Sequence, residues 1–210
     1  MNFLAHCLLA ARAADSWNSN EELRQGLLAG AIIGDLTKGP LKPEFPKALN
    51  AGIRLHRKID AWSNRSPLVS ACCQRVPPPL RRFAPIFLDI ICDHHLSCNW
   101  QQMTNADQPV LLQHCYEATQ THRGWVSPRG QDFIDFMVQD NLLAGYADWT
   151  NVERGLRSVL RRLNRMELAE TLETFAPDWA QACTSECEAL FNELAALVDE
   201  GQAVVQPAME

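Results

Sequence analysis

No part of this chain reads as a β-strand of any length, and no uninterrupted apolar run approaches the length of a membrane span. The first absence points to an all-α protein and the second excludes a transmembrane helix. The start, Met1-Asn2-Phe3-Leu4-Ala5-His6, lacks the basic opening and long apolar core of a signal peptide, so a cytoplasmic protein is expected. There is no C-x-x-C pair among the eight cysteines, which argues against a structural zinc site. They are expected to be small, buried, reduced side chains. A G-x-S-x-G elbow and a glycine-rich phosphate loop are also missing, which removes the common nucleophilic-serine and P-loop chemistries. Positive charge is scarce too. A net charge of −6 and an isoelectric point near 5.5 argue against general nucleic-acid binding, which needs a basic surface.

What is present is a chain of 210 residues, 47% hydrophobic and 21% charged, with apolar residues at helical spacing almost throughout. That length suits one sizeable core, and no repeat, low-complexity tract or linker divides it. The expectation is a single-domain, all-α helical bundle covering 1–210. Helices are expected at about 2–14, from a Ser19–Glu22 capping box to about Lys38, and from about Pro43 through Trp62. A short helix follows Ser66-Pro67, and Pro77-Pro78-Pro79 is expected to end it in an extended turn. A central helix is expected at about 80–102 with a kink near Pro85, then helices at about 108–123, 130–147, 151–163 and 166–199. Pro177 is expected to interrupt the last of these.

The chain is organised around Leu88-Asp89-Ile90-Ile91-Cys92-Asp93-His94-His95-Leu96. On a helix, Asp89 and Asp93 lie one turn apart, with His94 beside the second. Acids and imidazoles in so apolar a segment are costly unless paired. A divalent metal is a suitable partner, since it takes ionised carboxylate and neutral imidazole. The plain alternative is an amphipathic helix with a wet polar face. Three other helices carry similar groups: His6 among Phe3, Leu4 and Leu8; Asp35 after Ile32-Ile33-Gly34, where the glycine permits close helix approach; and His56 with Asp60, four apart on one face. Each has an ordinary reading as well. His6 can be a hydrogen-bonded core histidine, Asp35 a solvated helix end, and Asp60 a partner of Arg57 or Lys58. A cluster of His and Asp on helices suits Mn²⁺, Mg²⁺ or Zn²⁺, and such an ion lowers the pKa of water and stabilises charge on a phosphoryl oxygen. A Cys92–His95 pair fits helical spacing, but Cys92 reads as core.

Taken in order, Met1 to His6, Gly34-Asp35-Leu36, Leu55-His56-Arg57-Lys58-Ile59-Asp60 and Leu88-Asp89 through Asp93-His94-His95-Leu96 resemble the acyl carrier protein phosphodiesterases. A weaker likeness continues from Phe133 to Tyr146. The resemblance implies an all-helical, rearranged relative of the HD-type metal phosphohydrolases. It also implies a divalent-cation enzyme, usually supported by manganese, that removes 4′-phosphopantetheine from holo-acyl carrier protein. The metal positions it implies are Asp35, His56, Asp93 and His94, with His6, Asp60 and Asp89 as catalytic candidates. The usual His-Asp doublet stands reversed here as Asp93-His94. Readings of a different class are a phosphohydrolase for a small phosphate ester or nucleotide, and a non-catalytic helical adaptor.

An acidic carrier partner calls for local positive charge on an acidic enzyme. Arg54, Arg57 and Lys58 share the His56 helix, and Arg81 and Arg82 precede the Asp93 helix. These five are the expected docking residues. Arg154, Arg157, Arg161 and Arg165 form a second stripe, read as a solvated face with ordinary acidic partners.

Overall fold

The computed structural model describes residues 2–201, and among them the chain is all-α, with twelve helices, three short 3-10 turns and no strand. The helix α1 (Phe3–Ser16) is buried on nearly every side, as its run of Leu, Ala and Cys requires. Around it pack α2 (Glu21–Leu36), α3 (Lys47–Ser63), α6 (Ala84–Cys98), α8 (Gln108–Thr121) and α12 (Thr184–Glu200). The remaining helices are α4 (Pro67–Gln74), α5 (Pro78–Arg81), α7 (Trp100–Met103), α9 (Pro128–Gln139), α10 (Trp149–Arg162) and α11 (Ala169–Ala182). One hydrophobic cluster runs from Leu4 to Val198. No helix among the described residues is long and apolar enough to cross a membrane.

The closest helix pair is α2 with α3. A Cβ on Gly30 would lie 2.2 Å from the Gly52 carbonyl carbon, so the backbones meet with no side chain between them. The contacts Gly26–Ala48, Gly30–Gly52 and Gly34–His56 advance four residues at a time in the same sense along both helices. This register carries His56 to the end of α2, beside Asp35.

Several boundaries differ from those the sequence suggests. Ser19 does not cap α2, because the chain leaves α1 through Asn18 at φ 49° and the Ser19 N–H donates back to the Ala14 carbonyl. Asn20 caps α2 instead, accepting from Leu23 N–H at 2.9 Å. The same left-handed exit at Asn141 ends α9 early, and a 3-10 turn at Ala144–Ala147 replaces the rest of the expected 130–147 helix. The third helix begins after Pro46 rather than at Pro43. The three prolines open the short α5 rather than an extended turn, and Pro85 opens α6, so no long 80–102 helix forms. Pro177 lies within α11, and the break falls at Cys183, where Arg75 donates to the freed Ala182 carbonyl at 2.5 Å.

Candidate metal centre where α1 and α3 meet

Four helices deliver the acids and imidazoles to one region. His6 comes from the first turn of α1, Asp35 from the end of α2, His56 and Asp60 from successive turns of α3, and Asp89 and Asp93 from α6. The His6 and His56 rings stack, with centroids 3.9 Å apart and planes 20° apart. Asp60 spans both: His6 Nε2 is 3.0 Å from Oδ1, and His56 Nε2 is 3.3 Å from Oδ2. Asp35 approaches the same His56 nitrogen at 3.7 Å. Both histidines are buried, while Asp35 and Asp60 are half-exposed, which leaves the cluster open to solvent on the carboxylate side.

The other nitrogen of His56 decides its chemistry. Nδ1–H donates to the Ala31 carbonyl at 3.0 Å, so Nε2 faces two carboxylates and needs either a proton or a cation. Burial disfavours its charge, but Asp35 and Asp60 outweigh that and raise its pKa to about 9. His6 goes the other way. Burial first, then the charge of His56, lower it to about 4, so it is neutral at ordinary pH. Burial opposes ionisation of Asp60 and Asp35, yet the histidine hydrogen bonds hold both below the usual carboxylate range, Asp60 far below.

His6, His56 and Asp60 each offer one ligand atom, and these lie within 4.8 Å of one another. Two imidazoles and a carboxylate are a suitable donor set for Zn²⁺ or Mn²⁺. A backbone carbonyl that fixes the distal nitrogen is the usual support for a metal-binding histidine. His6 Nδ1 is buried and has no hydrogen-bond partner among the described residues, which marks the group as incomplete with protein atoms alone. The residues therefore fit a divalent cation.

The positions drawn from resemblance are distributed unequally around this group. Asp35 and His56 belong to it, together with His6 and Asp60. Asp89 is half-buried near Asp60 and Asp35, and burial, with their charges, raises its pKa. Asp93 is fully buried, and its carboxylate accepts Leu4 N–H at 2.7 Å and Ala5 N–H at 3.1 Å. His94 donates from Nδ1 to the Tyr146 carbonyl at 2.7 Å and packs edge-on against Trp149. Cys92 is buried, and His95 Nδ1 accepts from Asn99. A cavity of about 500 Å³ lies elsewhere, between α8 and the end of α9, lined by Leu112, Tyr116 and Val138 and by none of these acids or histidines.

Two supporting features escape a reading of the sequence alone. The Ala31 carbonyl is backbone and leaves no residue signal. The spacing Gly26, Gly30, Gly34 is visible, but its match to Ala48, Gly52 and His56 requires the helix register.

A family model for acyl carrier protein phosphodiesterase matches residues 1–194. The chain belongs to that family. Among relatives bearing the family's name, one from Photorhabdus laumondii is 32% identical over 167 residues, covering 79% of each chain. One from Yersinia pestis is 31% identical over 176 residues, covering 83% of this chain and 84% of its own. One from Escherichia coli K12 is 31% identical over 169 residues, covering 80% and 81%. No solved structure matches the chain. All the acids and histidines described above fall inside the span that the family model matches.

Proposed function

We propose that this chain hydrolyses the phosphodiester between 4′-phosphopantetheine and the serine of holo-acyl carrier protein, releasing apo carrier and free 4′-phosphopantetheine. The observation that carries the reading is the stacked His6–His56 pair bridged by Asp60, within a chain of this family. A divalent cation, Mn²⁺ by preference with Mg²⁺ or another divalent ion as substitutes, would be held by His6, His56 and Asp60, with Asp35 beside them. When bound, it supplies charge stabilisation at the phosphoryl oxygens and makes water a better nucleophile.

The protein's own groups do the rest. Ala31 holds the His56 tautomer, and Asp60 aligns both imidazoles. Water attacks phosphorus, the bond from phosphorus to the serine oxygen breaks, and that oxygen takes a proton. His6, Asp60 and Asp89 are the candidates to deliver it; burial, with the charges of Asp60 and Asp35, raises the pKa of Asp89. An origin among HD-type phosphohydrolases, one catalytic domain over 1–210 and a cytoplasmic site of action accompany this reading.

The carrier, an acidic protein, would dock on positive charge. Arg54, Arg81 and Arg82 are exposed. Arg57 donates to the Thr37 carbonyl at 3.0 Å, and Lys58 lies over the Trp62 ring. The distal stripe is less free, since Arg157 pairs with Glu173 and Arg165 with Glu167.

The test is incubation with purified holo-carrier and Mn²⁺, followed by intact mass. The expected result is loss of the prosthetic group, with ¹⁸O from labelled water in the phosphate of the released product. Label in the serine would indicate attack at carbon. Hydrolysis of small phosphate esters with an untouched carrier would favour a different substrate, and a protein without metal or hydrolysis would be an adaptor.

A further inference from the structure

The carboxylate of Asp93 has no exposed surface and sits at the N-terminus of a helix 88 and 89 residues away in sequence. We propose that Asp93 is a positioning residue: it caps α1 from α6, and so fixes His6, rather than ligating the metal itself. This rests on the reading of His6 as part of a metal site.

The backbone geometry carries the argument. The first turn of a helix leaves N–H groups without intrahelical acceptors, and a side chain just before the helix normally takes one of them. Asn2 stands at that position with the extended φ −102°, ψ −165° of a cap, but its side chain accepts no cap hydrogen bond. Its amide donates to the Tyr146 hydroxyl at 2.5 Å instead. Asp93 takes over the vacant role. Oδ2 accepts Leu4 N–H and Oδ1 accepts Ala5 N–H, the second and third residues of α1. Burial raises the pKa of Asp93 to about 7, while these two hydrogen bonds and the positive end of the helix dipole favour its charged form. With each oxygen engaged by a backbone amide and the group buried, the carboxylate is satisfied where it stands.

His6 follows Ala5 directly, and its own N–H closes the first helical turn onto the Asn2 carbonyl at 3.2 Å. If the amides of Leu4 and Ala5 lose their acceptor, the first turn frays and the imidazole of His6 loses its place beside His56. Asp93 thus reaches the chemistry through backbone, and a cap supplied from another residue should replace it.

The experiment compares Asp93→Asn, Asn2→Ser and the double variant, using Zn²⁺ as the probe ion, amide hydrogen exchange and kinetics on holo-carrier. In Asp93→Asn one carboxylate oxygen becomes an N–H₂ facing a backbone N–H. Exchange at Leu4 and Ala5 should rise about tenfold or more, and kcat should fall with KM within about twofold. Adding Asn2→Ser places a hydroxyl oxygen at the local cap, and protection and most of kcat should return relative to Asn2→Ser alone. Zn²⁺ binding by wild-type protein should leave the Leu4 and Ala5 amides at least as protected as before. Return of protection without return of kcat would overturn the proposal, because Asp93 would then act at the ion. So would loss of protection at Leu4 and Ala5 when wild-type protein takes up Zn²⁺, a measurement that stands even if Asp93→Asn does not fold. Absence of Zn²⁺ binding by wild-type protein defeats the metal reading itself, whereas binding without rescue defeats only the role given to Asp93.

Discussion

The imidazole of His56 lies against the bare Cα of Gly34, where a Cβ would come within 2.3 Å of the ring carbon Cγ and 2.5 Å of Cδ2. The glycine brings no side chain to the site, yet it sets where Nε2 points. Gly34→Ala should therefore push the ring away from Asp35 and Asp60 while changing no ligand. A displacement on the order of 1 Å at a reacting group costs roughly a hundredfold in rate. We expect kcat/KM to fall by about that factor, with helical circular dichroism near wild type. Gly124→Ala is the control, since its Cβ would enter open space. Equal activity in the two variants would mean that the ring does not need this seat.

Left-handed asparagines close three helices, at Asn18, Asn141 and Asn164. At Asn164 the chain turns back so that Arg165 N–H reaches the Leu160 carbonyl at 2.9 Å and Asn164 N–H reaches Arg161 at 3.1 Å. Asn164→Ala should cost about 1 kcal/mol, because a Cβ without a compensating side-chain group disfavours this backbone. Asn164→Gly should be neutral or slightly stabilising. Thermal or urea unfolding reads both, and an alanine variant as stable as glycine would remove the strain argument.

The helical class and most helix positions are legible because burial imposes a 3.6-residue period on Leu, Ile and Ala, as in Leu27, Leu28, Ile32 and Ile33. The ends are less legible. Ser19 and Asn20 are both good caps, and only the turn that leaves α1 decides between them. The His and Asp candidates also stand out in sequence, because acids and imidazoles among apolar residues are uncommon. What each one touches is a tertiary fact. His6 lies next to His56 because α1 and α3 meet there, a contact that no local pattern encodes. Asp93 and His94 are neighbours in sequence but face different elements, one the start of α1 and the other the turn at Tyr146. Consecutive helical residues point about 100° apart, so neighbours in sequence meet different partners here.

Docking of an acidic carrier should depend on the exposed Arg54, on the helix of His56, and Arg82, just before α6. Arg54→Glu and Arg82→Glu should raise KM for holo-carrier about three- to tenfold and flatten its dependence on salt, with kcat and bound metal little changed. Arg82 also covers the Phe83 ring at 4.4 Å, so Arg82→Lys separates packing from charge. Wild-type kinetics in both reversals, together with weaker binding on reversing Arg154 or Arg161, would move the docking face to α10.

The pH dependence of the metal-free protein should report the proton on His56. Its folded pKa of about 9 stands above the ordinary 6.5 because Asp35 and Asp60 overcome the cost of burial. A raised folded pKa stabilises the fold fully below the unfolded value, and that contribution is lost as pH rises through the folded value. Stability should therefore decline between about pH 6.5 and 9, by on the order of 2 kcal/mol once the half-exposed carboxylates are discounted for solvent screening. His56→Gln keeps a side chain that can hydrogen-bond but removes that titrating group, so its stability should show only the smaller fall near pH 7 that Asp93, raised by burial to about 7, contributes. Saturating Zn²⁺ should also flatten the wild-type profile, since an ion at Nε2 takes the place of the proton. The measurement is urea unfolding at half-unit pH steps, with and without chelator. A metal-free wild-type profile that stays level from pH 6.5 to 9 would mean that His56 carries no proton between the two carboxylates, and the electrostatic account of the cluster would be wrong.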